Sequence, residues 1–236
     1  MDSSISKLID NWRGGLIVSC QAPENSPLAK PEIIAAFAET AEQNGAVGVR
    51  IDAPHNISAV KSRVAIPVLG IYKIVAPPSE VYITPTFQAA AEIAAAGADM
   101  IALDATCRAR PDEEKLDGLV RRIRESLKKP LMADVARYEE GLHAAETLGV
   151  DVISTTLSGY TAETRHLAKP DFELVEKLST KLTVPIVCEG RLRSAEDVRR
   201  AFDCGAFAVV VGGAITGIDQ LVSRFAAATP VGSAKT

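Results

Sequence analysis

Residues 96–104 read AGADMIALD, a glycine followed by a short apolar run, and this pattern occurs four times along the 236-residue chain. The other three copies are NGAVGVRI at 44–51, LGVDVISTT at 148–156 and CGAFAVVVG at 204–212. Their glycines are spaced by 52, 52 and 56 residues: Gly45, Gly97, Gly149 and Gly205. A glycine just past a helix adopts the left-handed backbone that ends it, and the apolar run that follows suits a buried strand. The pattern therefore predicts an internal repeat of helix followed by strand.

Four further apolar segments lie between these copies and supply the remaining strands. They are GGLIVSCQ at 14–21, AIPVLGIYK at 65–73, KKPLMADV at 128–135 and TVPIVCEG at 183–190. Three of them begin beside a proline, which a strand tolerates at its first residue but not within its ladder. Eight strands alternating with helices imply a parallel sheet, and eight such units in about 240 residues match a (β/α)8 TIM barrel. We predict one barrel domain over residues 1–236, with an open doubly wound sheet as the alternative.

Two of the intervening helices carry recognisable marks. Residues 112–127 form a charged segment with leucines and an isoleucine at helical spacing, which predicts a helix over the whole of that range. Ser194 stands three residues before Asp197, a spacing typical of a capping box, and we expect it to open the helix that Gly205 ends.

Composition excludes several classes of protein. Hydrophobic residues make up 47% and charged residues 24% of the chain, an ordinary balance for a globular protein. The net charge of −4 leaves no basic surface for nucleic acid, and no apolar run of about 18 residues predicts a membrane span. The four cysteines lack Cys-x-x-Cys spacing and the three histidines lack His-x-x-x-His spacing, which disfavours a disulfide framework or a metal site. We expect a cytoplasmic protein without a metal.

Polar residues stand where several of the predicted strands end, which is where this fold places active sites. Gln21, Arg50, Lys73, Asp134 and Glu189 all occupy such positions. Asp134 and Glu189 each lie four residues after the proline at the entrance of their strand, and Lys73 lies six residues after its own. Since alternate residues of a strand point the same way, these even separations place the three side chains on one face. We expect a polar cluster at the top of the barrel.

Strands three and seven lie on opposite walls of an eight-stranded ring, so Lys73 and Glu189 should face each other across anything bound between them. The alternative is a plain salt bridge between the two that closes the barrel. Two long connections, 74–85 after strand three and 156–170 after strand six, fall on the same end of the barrel. Long loops in this position commonly carry function, although each is also compatible with a simple surface insertion.

Glycine turns follow the last two strands. Strand seven runs into Gly190 and Arg191, and strand eight runs into Gly212 and Gly213. In many barrels the loops at these two positions hold phosphate through backbone N–H groups, and glycine permits the close approach. The turns therefore predict a barrel of the phosphate-binding type, with Arg191 as an additional donor. Two ordinary tight turns are the alternative.

Six motifs together carry a family resemblance. In chain order they are ITPT at 83–86, ALDAT at 102–106, ADV at 133–135, STTLSGYT at 154–161, EGR at 189–191 and VVVGGAIT at 209–216. The chain resembles the N-acetylmannosamine-6-phosphate 2-epimerase family from about residue 15 to residue 225. The resemblance implies interconversion of N-acetylmannosamine 6-phosphate and N-acetylglucosamine 6-phosphate, in the use of sialic acid and other amino sugars, without a cofactor.

The resemblance also implies roles for individual residues. Lys73 and Glu189 would be the acid and base, and Gln21, Arg50 and Asp134 would contact the sugar. Phosphate would bind at the loops of Gly190 and of Gly212 and Gly213. The chain departs from the family pattern at Ile74 and at Gly217, where the family usually has a basic residue. The second departure puts a side-chain contact to phosphate in doubt.

The residues leave two other functions open. A lysine at the barrel mouth could form a Schiff base in a phosphosugar lyase or aldolase, so Lys73 is compatible with that reaction class. A barrel that binds a phosphosugar without catalysis is the other alternative, because the fold alone does not establish chemistry. In each case the expected partner is a small sugar phosphate. We further expect a homodimer, since barrels commonly self-associate.

Overall fold

The computed structural model describes residues 3–230, and its centre is a closed barrel of eight parallel strands. Each strand pairs with the next along the chain, and β8 returns to pair with β1. The strands are β1 Leu16–Cys20, β2 Gly48–Asp52, β3 Val68–Ile71, β4 Met100–Asp104, β5 Leu131–Asp134, β6 Val152–Ser154, β7 Ile186–Glu189 and β8 Ala208–Val211. The prediction of a (β/α)8 TIM barrel is confirmed, and the open doubly wound sheet is wrong.

Helices alternate with the strands and cover the outside of the barrel. They are α1 Ser3–Asp10, α2 Pro31–Gln43, α3 Pro54–Lys61, α4 Phe87–Ala95, α5 Leu116–Arg122, α6 Tyr138–Glu146, α7 Phe172–Lys181, α8 Ala195–Asp203 and α9 Ile218–Ala227. A π-helical turn, Ile123–Leu127, continues α5, and two short 3-10 turns lie at Pro27–Ala29 and Pro111–Glu113. Within residues 3–230, no helix combines the length and the apolar character that a membrane span needs.

The local signals act as the sequence indicates, with one correction. All four repeat glycines have positive φ, between +61° and +103°, so each ends a helix in the left-handed region. Ser194 and Asp197 form the expected capping box at the start of α8. The helix expected over 112–127 begins only at Leu116, because Asp112 and Glu113 both take positive φ and break the helical path.

Two apolar layers form because side chains alternate along each strand. One set points outward and packs under the helices, for example Ile51, Ile101 and Cys188. The other fills the barrel, for example Leu69 and Met132. At the N-terminal end of the strands, Ile9 and the fully buried Trp12 join the interior layer and close the barrel. Apolar side chains therefore fill the barrel from the N-terminal ends of the strands, and the interior becomes polar only towards their carboxyl ends.

Candidate active site

The interior layer becomes polar at the carboxyl end of the barrel, where Asp134 and Glu189 are the last residues of β5 and β7. Each follows an interior apolar residue by two positions, Met132 and Val187 respectively, and so points the same way. Gln21 lies just past β1, and Lys73 lies two residues past β3. With Arg50 of β2, the structure brings together all five mouth residues named from the sequence.

Arg50 is the centre of this cluster. Its side chain is 1% exposed, and its guanidinium donates two hydrogen bonds to Asp134, with N–O distances of 3.1 and 2.6 Å. The same Nη1 atom also donates to Oε2 of Glu189 at 3.0 Å. Burial alone would lower the pKa of Arg50, but the two carboxylates outweigh it and raise the pKa above its ordinary value. A permanent positive charge is therefore held between two acidic side chains.

Lys73 is held by its backbone as well as by its side chain. A short antiparallel bridge pairs Lys73 with Ile83. The long loop after β3 therefore folds back on itself and fixes the backbone of the lysine. The backbone N–H of Lys73 donates to Oδ1 of Asp52 at 2.9 Å, and its Nζ donates to Oε1 of Gln21. The site thus contains a further carboxylate, Asp52 at the end of β2, which is not among the five mouth residues named from the sequence.

The pKa of Lys73 is lowered, which makes its neutral form more available. Burial of the ammonium group is the main cause and the positive charge of Arg50 adds to it, while the carboxylate of Asp52 opposes it. Lys73 nonetheless has an exposed surface at the open mouth. Solvent at the mouth moderates this lowering of the pKa, because water stabilises the charged ammonium.

The pKa of Glu189 moves in the opposite direction. Burial raises it and the nearby Asp134 raises it further, while Arg50 and the hydroxyl of Thr156 lower it. The ion-pair partner of Glu189 is Arg50, and the hydrogen-bond partner of Lys73 Nζ is Gln21. A salt bridge between Lys73 and Glu189 that closes the barrel is therefore not the arrangement found among residues 3–230.

Thr156 is the site residue that sequence reasoning missed. It lies two residues past β6, and its Oγ1 is 2.8 Å from Oδ1 of Asp134 and 2.9 Å from Oε2 of Glu189. Ser154, the last residue of β6, places its own hydroxyl 2.8 Å from that of Thr156. The motif STTLSGYT contains both residues, and the parity rule already used for Asp134 would place them on the interior face.

The two glycine turns present unpaired backbone donors. In the described part of the chain, the backbone N–H groups of Arg191, Gly213 and Ala214 have no hydrogen-bond acceptor, and the ladder between β7 and β8 ends beside Gly190. Gly190 has φ +111°, a conformation that side-chain-bearing residues rarely adopt. A Cβ on Gly212 would lie 3.2 Å from Cβ of Ser19, so glycine lets this turn pack closely against β1.

The Arg191 side chain turns towards the loop after β6. Its guanidinium donates to the carbonyl oxygens of Ser158 at 3.0 Å and Gly159 at 2.6 Å, and it lies 4.1 Å above the ring of Tyr160. This arrangement joins the turn after β7 to the 156–170 loop. Arg191 itself has a positive φ, +58°, directly after Gly190, so two consecutive residues of this turn lie outside the usual region of the backbone map.

Asp104, the last residue of β4, forms an ion pair of 2.6 Å with Arg108 at the rim of the barrel. Thr106 supports the pair, because its N–H and hydroxyl both donate to Asp104. Burial raises the pKa of Asp104, and the hydrogen bonds from Thr106 and the charge of Arg108 oppose that rise. In the described part of the chain, Asp104 and Arg108 form no hydrogen bond or ion pair with Lys73 or Glu189.

Fold and site together define a class: a (β/α)8 barrel whose mouth holds two groups with oppositely shifted pKa values beside glycine turns that can receive an anion. Comparison with known proteins identifies the family within that class. Residues 34–230 match the family model described as "Putative N-acetylmannosamine-6-phosphate epimerase". The chain belongs to this N-acetylmannosamine-6-phosphate epimerase family.

Individual relatives match over nearly the whole chain. A protein of Thermosynechococcus vestitus is 51% identical over 92% of this chain and 93% of its own length. One of Clostridioides difficile is 42% identical over 95% of this chain and 100% of its own length. Both carry the name "Putative N-acetylmannosamine-6-phosphate 2-epimerase". The solved structure of the N-acetylmannosamine-6-phosphate 2-epimerase from Clostridium perfringens matches with a TM-score of 0.88 and 41% identity, covering 92% of this chain and 94% of that one.

Proposed function

We propose that this chain interconverts N-acetylmannosamine 6-phosphate and N-acetylglucosamine 6-phosphate by inverting carbon 2. One observation carries the proposal beyond family membership. The mouth holds an amine with a lowered pKa, Lys73, and a carboxyl with a raised pKa, Glu189, which do not neutralise each other as a direct pair. Such a pair can remove a proton on one side of a carbon and return one on the other.

The chemistry follows from the open-chain form of the sugar. The hydrogen on C2 is adjacent to the C1 aldehyde, so its removal gives an enolate whose negative charge is shared with the carbonyl oxygen. In one direction neutral Lys73 takes the C2 proton and becomes an ammonium, while protonated Glu189 delivers a proton to the opposite face and becomes a carboxylate. The reverse reaction exchanges these roles. The step requires no electron acceptor, so it needs no redox cofactor.

The other mouth residues orient the substrate and the two acid–base groups. Arg50 supplies a buried positive charge close to where the enolate oxygen develops, which favours the transition state over the neutral substrate. Gln21 holds the ammonium of Lys73 and can exchange that contact for an amide or hydroxyl of the sugar. Asp134, paired with Arg50, can accept a hydrogen bond from a sugar hydroxyl.

Phosphate would bind at the two glycine turns through backbone N–H groups of Gly190, Arg191 and Gly213. A side chain at position 217 would not take part. A Cβ there would lie 2.6 Å from the carbonyl oxygen of Gly213, so this turn closes over Gly217 in a way that only glycine allows. Without a basic side chain at position 217, backbone donors would bind the anion.

We also propose that the protein is a homodimer in the cytoplasm. Helix α9 carries an exposed apolar stripe, with Ile218 41%, Val222 61% and Phe225 67% exposed on one face. Such a stripe is typical of a surface that is covered in an assembly. All four cysteines are free thiols, which suits a reducing compartment. Light scattering coupled to gel filtration tests the dimer, and a monomer at micromolar concentration would refute it.

Proton NMR in heavy water tests the proposed reaction directly. With N-acetylmannosamine 6-phosphate, we expect the gluco epimer to appear with deuterium at C2. Lys73→Ala and Glu189→Ala should each abolish turnover while circular dichroism shows an intact fold. A folded protein that leaves the substrate unchanged would refute the proposal. Covalent trapping of Lys73 by borohydride in the presence of substrate would instead indicate a Schiff-base lyase.

A further inference from the structure

Thr156 has three oxygen neighbours but only one proton to share among them. Its Oγ1 lies 2.8 Å from Oδ1 of Asp134, 2.9 Å from Oε2 of Glu189 and 2.8 Å from Oγ of Ser154. A hydroxyl donates one hydrogen bond and accepts up to two. The two carboxylate oxygens are both acceptors when ionised, so Thr156 cannot satisfy both of them at the same time.

The neighbouring donors do not remove this competition. Nη1 of Arg50 carries two hydrogens and serves the same two oxygen atoms, Oδ1 of Asp134 at 3.1 Å and Oε2 of Glu189 at 3.0 Å. Its two N–H groups are therefore divided between the carboxylates. The second guanidinium nitrogen, Nη2, is directed to the other oxygen of Asp134 at 2.6 Å. Among the side chains of residues 3–230 that donate to these two carboxylates, Thr156 alone has a single hydrogen that can go to either Asp134 or Glu189.

We infer that Thr156 is a positioning residue whose hydroxyl follows the charge of Glu189, donating to that carboxylate when it is ionised and turning to Asp134 when Glu189 carries a proton. The movement is a rotation about one bond, because both acceptors already lie within hydrogen-bonding distance. In its second position the hydroxyl can accept from Ser154 and donate to Asp134. The two states of Glu189 are then both hydrogen-bonded, and neither leaves Thr156 without an acceptor.

This role deepens the proposed reaction, and its kinetic part rests on that function. Glu189 alternates between acid and carboxylate in each turnover, and a fixed donor would favour only one of these forms. The charged groups around Glu189 are Arg50, Asp134 and Lys73, with the Cys188 thiol on the adjacent residue. None of these can transfer its hydrogen bond between the two carboxylates, whereas Thr156 can.

The decisive measurement does not depend on turnover. Carbon-13 NMR of glutamate-labelled protein follows the titration of the Glu189 carboxyl, which the spectrum of Glu189→Gln assigns. We compare wild type, Thr156→Val and Thr156→Ser. Because a hydrogen bond to a charged group stabilises the ionised form, its loss in Thr156→Val should raise the midpoint by about one pH unit. Thr156→Ser keeps the hydroxyl and should titrate like wild type.

Thr155→Val is the matched control. Thr155 bonds the backbone of Glu189, with its Oγ1 2.9 Å from the carbonyl oxygen and 3.1 Å from the nitrogen, and its hydroxyl forms no hydrogen bond with the Glu189 carboxyl group. It should leave the midpoint unchanged. If Thr156→Val fails to fold, Thr156→Ala replaces it in the same titration. An unchanged or lowered midpoint in a folded variant without the hydroxyl would overturn the inference.

The kinetic arm uses the pH profile of kcat/KM for epimerisation. Thr156→Val should move the acidic limb upward by about the same amount as the NMR midpoint, and Thr156→Ser should not. A wild-type protein that does not epimerise the substrate removes the proposed function but leaves the titration result valid. A shifted midpoint with an unshifted limb in an active enzyme would overturn the link between Thr156 and the proton transfer.

Discussion

Replacing Arg50 by leucine should be among the most damaging single changes in this protein. The Arg50 and Asp134 side chains are 1% and 0% exposed, and two hydrogen bonds join them. Removing one partner of a buried pair leaves the other charge without compensation, which costs about 3–5 kcal/mol. Arg50 also serves Glu189 at 3.0 Å, so the loss should fall towards the upper end of that range. Most of this loss of stability should come from the Asp134 carboxylate, which stays buried without its cationic partner.

A double-mutant cycle separates that penalty from simple loss of packing. Urea unfolding would be measured for Arg50→Leu, Asp134→Leu and the double variant, and the double variant should recover about half or more of the loss. Arg199→Leu is the control, because its 2.9 Å pair with Glu196 is exposed and should contribute under about 1 kcal/mol. A loss below about 1 kcal/mol for Arg50→Leu, or strict additivity in the cycle, would refute the reasoning.

Three further predictions concern single residues. Burial raises the folded-state pKa of Glu189, so ionisation of this carboxyl destabilises the fold as the pH rises from the ordinary glutamate range through the raised pKa. Glu189→Gln should therefore be more stable than wild type at pH 8 in thermal unfolding. This gain in stability should vanish at low pH. Ser194→Ala removes a capping-box hydroxyl and should cost about 1 kcal/mol in urea unfolding, and an unchanged midpoint would contradict this. A Cβ on Gly159 would lie 2.0 Å from Nη1 of Arg191, so Gly159→Ala should displace that side chain and raise KM for the sugar phosphate; an unchanged KM would show that Arg191 has no part in binding.

The barrel could be predicted because its signals are local and repeated. Four units end a helix at a glycine before a buried strand, four further apolar segments supply the strands between them, and eight strands alternating with helices leave little choice of topology. Three of the mouth residues, Lys73, Asp134 and Glu189, could be predicted by counting alternate positions from the prolines at the strand entrances. The start of α5 could not, since two consecutive residues with positive φ, Asp112 and Glu113, follow no recognisable turn signal.

Thr156 shows a second limit of the same reasoning. Charged residues at strand ends are conspicuous because burying them is costly, whereas a threonine is common in any loop. Thr156 matters because its hydroxyl lies close to Asp134 and Glu189. Those two residues belong to two other strands, so the contacts depend on the tertiary structure. For Lys73 the sequence indicates the residue but not what holds it. The antiparallel bridge between Lys73 and Ile83 depends on the path of a twelve-residue loop, which the sequence does not predict.

The structure also separates two acids that the sequence could not tell apart. Asp134 and Glu189 stand at equivalent positions in their strands, and both accept hydrogen bonds from the guanidinium of Arg50, but Asp134 accepts more of them. Asp134 receives hydrogen bonds from Arg50 on both of its oxygens, while Glu189 receives one, on Oε2. In the described part of the chain, Oε1 of Glu189 has no hydrogen-bond partner. The carboxyl with fewer bonds to the cation is the one whose ionised form Arg50 stabilises less, which agrees with the acid–base role that we propose for Glu189. In that proposal Asp134 fixes Arg50, and Glu189 exchanges the proton with the substrate.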